Sequence, residues 1–344
     1  MKILYLYSEV VGYLIPIFEE YVSSYDAEVN VVHWDKEKLK PYSPPSIDGV
    51  TFYKRSDYSS KDLLLFVLSL KPDIVYISGW MDKGYLKITS RLKKQGVPVV
   101  AGFDDMWEGR LRQRIGAILF PFYLKKYFSH AWVAGPYQFE FAKRLGFSNK
   151  EVIFDLLSAN TAKFTLPERK KKEQKSFLYV GNFRAVKGTD ILAEAYSIYR
   201  SELQGSWGLT CVGNGEMEEV LKYNKEIEIH PYANESELKA IASNCDVFVL
   251  PSRHDQWGVV VHEFSALGMP MLLSDYVGAS ATFFIEGFNG YSYTNNSARE
   301  LAKKMKVIEA STPEKLEAMQ EASHLLSKRI SVKTSAANFI SIIR

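Results

Sequence analysis

Short, nearly unbroken apolar runs alternate with stretches of helical periodicity along most of the chain. In the first half ILYLY (3–7), VNVVHW (29–34), DIVYIS (73–78), VPVVAG (97–102) and AWVAG (131–135) read as strands. KDLLLFVLSLK (61–71) and YLKITSRLKKQG (85–96), lying between them, read as helices. A second series follows: SFLYVG (176–181), WGLTCVG (207–213), IEIH (227–230), DVFVL (246–250), MLLSD (271–275) and YSY (291–293). Apolar runs without polar alternation are buried on both faces, which predicts α/β architecture with mainly parallel sheets covered by helices on both sides. Residues 167–175 (PERKKKEQK) are charged and have no apolar face, so they read as an interdomain linker. The expected domains are 1–166 and 176–329.

Composition narrows the class. At 344 residues the chain is too long for one ordinary core. A hydrophobic content of 47% and an aromatic content of 14% suit a packed globular protein. The net charge of +3 is too small to argue for nucleic acid. No charge-free run approaches the ~20 residues of a membrane span, and MKILYLYSEV enters a strand without a small-residue cleavage site, so neither a span nor a signal peptide is expected. Cys211 and Cys245 lie in or beside strand-like segments and are expected to be reduced, in a cytoplasmic protein. Neither they nor the six histidines have metal spacing, so no metal site and no cofactor are expected.

The chemistry concentrates in PSRHDQWGVVVHEFSALGMP (251–270). A strand ends at Pro251-Ser252, Gly258 opens an apolar helix, Gly268 closes it, and Pro270 leads into the next strand. Glu263 is a carboxylate inside that helix, costly to bury without donors. Asp255 lies just before the helix N-terminus, where N–H groups attract anions. These features suit a sugar nucleotide, with Glu263 accepting from ribose hydroxyls and Asp255 from sugar hydroxyls. The N–H groups of Trp257, Gly258 and Val259 would face the charged part. FLYVGNFRAVKGTD (177–190) places Gly181, Asn182, Arg184 and Lys187 between a strand and a helix, as a diphosphate site would; a surface loop with two solvated cations is the alternative. Gly213 and Gly215 follow a strand, a pattern that alone marks only a tight turn.

Two acids with seven residues between them, after P-S and before G-x-P, resemble the retaining glycosyltransferases of family 4, which have the GT-B fold. The resemblance implies two Rossmann-like doubly wound domains facing across a cleft, with the last helix (about 330–344) packing back on the first. That family usually has Glu where Asp255 stands and Arg where Asn182 stands; Arg184 is the nearby guanidinium. It implies a donor site of Gly12, Asn182, Arg184, Lys187, Gly213, Tyr232, Asp255, Trp257, Gly258, Val259 and Glu263, with Tyr232 near the base. Phe103 replaces a family His, and Asp104 matches the Asp that follows it. Asp104, Arg184, Lys187 and Asp255 are the candidate catalytic residues, although Asp104 can equally cap the following helix. The implied reaction moves a sugar from a nucleotide-diphosphate sugar, as co-substrate, to a saccharide or lipid-linked saccharide. Another GT-B enzyme acting on a sugar nucleotide, or a non-catalytic partner subunit, are the alternatives.

Residues 110–128 (RLRQRIGAILFPFYLKKYF) form a basic amphipathic pattern without an acid. Two readings stay open: the apolar side packs on the sheet, or it contacts an anionic membrane surface peripherally, on the inner face of the plasma membrane. Pro121 is expected to kink or divide this helix. Trp80, Trp107 and Trp132 are open between acceptor stacking and core packing, and His254 and His262 between ligand contact and structure.

Overall fold

The computed structural model describes residues 1–35, 44–164 and 174–344. Residues 167–173 of the expected linker lie outside the described residues. The chain divides into two compact units, Met1–Asn160 with Ile330–Arg344, and Thr161–Arg329.

Unit 1 runs β1 (Lys2–Tyr7), α1 (Ile15–Tyr25), β2 (Glu28–His33), β3 (Val50–Lys54), α2 (Ser60–Leu70), β4 (Ile74–Ile77), α3 (Lys83–Lys94), β5 (Val99–Phe103), α4 (Leu111–Tyr123), β6 (His130–Val133), α5 (Pro136–Arg144) and β7 (Val152–Ile153). The sheet is parallel throughout, in the order β3-β2-β1-β4-β5-β6-β7. Its central strands are buried, β1 from Ile3 onward and β4 along its whole length, which is why they read as unbroken apolar runs. One face carries an aromatic layer of Tyr5, Tyr76 and Trp132, closed by Phe339 from the C-terminal helix Val332–Ile340. Trp132 is buried and donates from its indole to the Phe154 carbonyl at 2.7 Å. Trp80 packs on Phe103 and Phe120, and Trp107 on Phe141. Trp132 therefore serves packing, whereas Trp80 and Trp107 pack on the core and keep part of their surface accessible.

Unit 2 runs β8 (Ser176–Val180), α6 (Thr189–Ser201), β9 (Gly208–Val212), α7 (Glu218–Lys222), β10 (Ile227–His230), α8 (Glu235–Ala242), β11 (Val247–Leu250), α9 (Val259–Ala266), β12 (Met271–Ser274), α10 (Ser280–Phe283), β13 (Gly290–Tyr293), α11 (Ala298–Glu309) and α12 (Pro313–Ser327). Unit 1's C-terminal helix is then α13. The unit 2 sheet is again parallel, ordered β10-β9-β8-β11-β12-β13. Successive connections move outward from β8 to β10, then restart at β11 on the other side. The carboxyl ends of β8 and β11 therefore flank the switch point of the topology, where open α/β sheets leave a crevice.

Glycines let the loops at this edge touch. Gly213 has φ +148°, and a Cβ there would stand 1.9 Å from the Gly181 carbonyl oxygen. Gly188 has φ +70°, and its Cβ would meet the Pro251 carbonyl oxygen at the same distance. The loops after β8, β9 and β11 are thus backbone against backbone, with no room for a side chain. Gly213 is required by that contact between loops of the protein itself.

Candidate functional site

Lys187 ends a 3₁₀ turn (Ala185–Lys187) in the loop after β8, and Asp255 lies in the loop after β11. The structure brings them together: Lys187 Nζ donates to Asp255 Oδ2 at 2.7 Å. Asp255 is buried and Lys187 partly so. Ser252 Oγ donates to the same carboxylate oxygen at 3.2 Å. The sequence reading gave the two residues separate partners, a diphosphate and a sugar; in the structure each is first the other's counter-ion.

The pair is held from both loops. The Arg253 N–H donates to the Val186 carbonyl at 3.0 Å. Its guanidinium grips Asp190 at the start of α6 through two bonds, of 2.6 and 2.7 Å, and also donates to the Ala185 carbonyl. The guanidinium beside Asp190 holds that carboxyl below the usual range. Ser252, Arg253 and Asp190 were missed in the sequence. Arg253 and Asp190 stand 63 positions apart, and no local pattern links them.

Gly258 caps α9 with φ +88°, a left-handed conformation that costs glycine little. The Val261 N–H donates to the Gly258 carbonyl at 2.9 Å, while those of Val259 and Val260 precede the helical ladder, so that end favours negative charge. Trp257 is buried, and its indole Nε1 has no hydrogen-bond partner among the described residues. Glu263 sits in the second turn of α9, half-buried, and no described residue donates to its carboxylate. Burial first, and then the charge of Glu235, push its pKa up to about 7. His262 is buried, stacks on Phe283 with ring centres 4.2 Å apart, and faces the Ser327 carbonyl at 2.9 Å. Burial pulls its pKa down to about 4, so it is a neutral core residue, as the structural alternative held.

Other expected site residues lie in the loops after β8, β9 and β10 and at the start of α9. Arg184 is exposed and stands 3.8 Å from Glu216 of the glycine turn. Asn182 is exposed, and its carbonyl accepts from the Tyr179 hydroxyl at 3.0 Å. Gly213 is fixed as described, and Tyr232, in the loop after β10, is exposed. Val259 is the first residue of α9.

In unit 1, Gly12 is exposed and opens a 3₁₀ turn after β1. Asp104 follows β5, exposed as a residue; desolvation of its carboxyl, and then the charge of Asp105, raise its pKa. Tyr13, next to Gly12, is pushed up to about 12 by burial and then by the Asp104 charge, so the loops after β1 and β5 lie together. The helix-capping alternative for Asp104 is overturned: the residue before α4 is Arg110, and no side chain caps it. Phe103, in place of the family His, is buried and packs on Phe147 and Trp80. Among the described residues no group of three or more His, Cys, Asp and Glu is placed to hold a metal ion.

Comparison with known proteins agrees with this geometry. The sequence profile of "Glycosyl transferases group 1" matches residues 162–325, nearly the whole of unit 2. An uncharacterized glycosyltransferase of Haemophilus influenzae is 27% identical over 183 residues, 51% of this chain and 50% of that protein. One of Methanocaldococcus jannaschii is 28% identical over 134 residues, 37% of this chain and 36% of that protein. The chain thus spans about half the length, or less, of these curated relatives. Among solved structures, Anabaena HepE in complex with UDP superposes with a TM-score of 0.76 at 14% identity, covering 100% of this chain and 99% of that one. The lipopolysaccharide outer core galactosyltransferase WaaB, in apo form, gives 0.68 at 17% identity, with 100% and 99% coverage. At such identities the likeness carries the fold: two parallel-sheet, Rossmann-like units of the GT-B class. Unit 2 is thus similar in sequence to the group 1 glycosyl transferases, and the solved structures carry the fold of both units.

Proposed function

We propose that the protein is a retaining glycosyltransferase that moves a hexose from a nucleotide-diphosphate sugar to an alcohol. The observation that carries this reading is Glu263, a half-buried carboxylate without a donor among the described residues, in the second turn of the helix that follows the Lys187–Asp255 pair at the switch point. A buried acceptor without donors calls for hydroxyls, and a ribose supplies two. Lys187 and the N-terminus of α9 supply positive charge for the diphosphate. Asp255 Oδ2 is taken by Lys187 and Ser252, which leaves Oδ1 to accept from a sugar hydroxyl. Arg184 contributes a second, solvent-screened charge at the rim.

In the mechanism, negative charge grows on the leaving diphosphate, and Lys187 stabilises it most when the bond is breaking. We assign no covalent nucleophile; the leaving phosphate takes the acceptor's proton on the same face, which keeps the anomeric configuration. Asp104 and Asp105 of unit 1 are proposed to orient the acceptor, a saccharide or lipid-linked saccharide of cell-surface glycans, in the cytoplasm. Anabaena HepE has been solved with UDP and with UDP-glucose, which supports a uridine nucleotide as the first probe.

Thermal denaturation with nucleoside diphosphates and their sugars tests the donor. A ligand at 100 times its Kd stabilises by about 2.7 kcal/mol, so at least one nucleotide is expected to raise Tm by several degrees. If none does, the reading fails. Product analysis with and without an alcohol acceptor separates transfer from epimerisation or hydrolysis. Because protein cations offset the diphosphate charge, turnover is expected to persist in EDTA. Its loss, reversed by magnesium, would show that a metal shares that task.

A further inference from the structure

We infer that unit 1 docks on the surface of an anionic lipid bilayer through α4. Leu111, Ile115, Ile118 and Phe122 follow the i, i+4, i+7, i+11 spacing of a single helix face and are 74%, 50%, 68% and 74% exposed. Leu119 and Tyr123 widen this stripe on one side and are exposed too. Phe120, roughly opposite, is the residue of α4 that enters the core, against Trp80, Phe128 and Phe147. The expectation that the apolar face packs on the sheet is thereby overturned: Phe120, with the small Ala117 against the same core, anchors the helix, and the larger apolar face is turned outward. Pro121 does not divide the helix, which continues to Tyr123.

Charge selects the occupant. Residues 109–139 contain no acid. Arg112 and Arg114 flank the stripe on its two sides, and Lys126 lies beyond its end; all three are exposed and have no acidic side chain within ion-pair distance among the described residues. Lys125 differs: it pairs with Glu151 at 2.8 Å over the Phe147 ring and ties the helix end to the fold. Arg110 is likewise paired, with Glu108. An apolar stripe edged by cations and aromatic rings matches an interface of negatively charged headgroups over acyl chains. At about 1.5 Å per residue α4 is far shorter than the ~30 Å hydrocarbon core, so it lies along the surface. No helix among the described residues is long and apolar enough to cross.

The test is co-sedimentation of the full chain with vesicles of phosphatidylcholine alone or mixed with phosphatidylglycerol. Wild type is expected to bind the anionic vesicles, and more weakly as salt rises. Phe122→Ser should bind about tenfold more weakly, having lost one buried aromatic. Arg112→Gln with Lys126→Gln should lose about 25-fold on anionic vesicles, about fivefold per cation. Neither variant should lower Tm, because the changed side chains are exposed. Equally weak binding of all three proteins to both vesicle types would overturn the inference. So would a wild type that dimerises without lipid and becomes monomeric on Phe122→Ser, since the face would then belong to a second copy. Sedimentation needs no turnover, so its failure would leave the transferase reading intact.

Discussion

Lys187→Ala is expected to lower kcat by about 10²–10³-fold, the range seen when one pre-aimed donor to a developing oxyanion is removed. The ammonium is held at 2.7 Å from Asp255 before any ligand arrives, so no reorganisation is needed when the diphosphate begins to leave. Its benefit is larger in the transition state than in the ground state, because the phosphate charge rises as the glycosidic bond breaks. KM for the donor should therefore change less than kcat. The same substitution leaves Asp255 buried with, among the described residues, only Ser252 Oγ donating to its carboxylate. A stability loss of about 1–3 kcal/mol is expected, between the values for exposed and buried pairs. Kinetics must accordingly be read well below the variant's Tm. Asp255→Asn is the matched control, since it removes the counter-ion and keeps the lysine charge. A Lys187→Ala enzyme with wild-type kcat and a lowered Tm would reduce the pair to a structural brace between two loops.

Much of this fold was legible because its strands are buried on both faces. All six strands of unit 2 follow the apolar runs, and α9 starts and stops at its two glycines. Two strands of unit 1 escaped, for different reasons. Val50–Lys54 is an edge strand, largely accessible to water and lacking a continuous apolar run. Val152–Ile153 is two residues long, below any periodicity. The candidate site was legible as residue types and not as contacts. Lys187 and Asp255 lie 68 positions apart, and the β8–β11 pairing brings their loops side by side. For α4 the spacing of apolar residues is the same whether the stripe faces sheet or solvent. What decides is Phe120 on the opposite side, which outcompetes the stripe for the core through its aromatic neighbours. The capping role considered for Asp104 failed because α4 begins only at Leu111, with an irregular turn intervening.

Glu263→Gln should weaken donor binding by roughly ten- to a hundredfold, the worth of about 1.5–3 kcal/mol for a hydrogen bond to a charged group. It should also abolish a pH dependence that the wild type shows. Burial, with Glu235 adding to it, raises the Glu263 pKa from 4.5 to about 7 in the ligand-free protein. On the proposed reading, ribose hydroxyls donate to the ionised carboxylate, so binding selects that form and displaces a proton below pH 7. Apparent donor Kd should thus be flat above about pH 8 and rise as pH falls through 7, by about tenfold near pH 6. The stability linkage runs in the opposite sense. A carboxyl whose folded pKa is raised favours the native state below the unfolded value of 4.5, and that contribution is lost as pH rises through 7. The neutral amide of the Gln variant escapes this loss. Ligand-free Glu263→Gln should therefore melt above wild type at pH 8 while binding donor more weakly. Calorimetric titration in two buffers of different ionisation enthalpy at pH 6.5 measures the proton released by wild type, and the variant should release none from this site. A donor Kd that stays pH-independent in wild type and unchanged in the variant would remove Glu263 from the ribose.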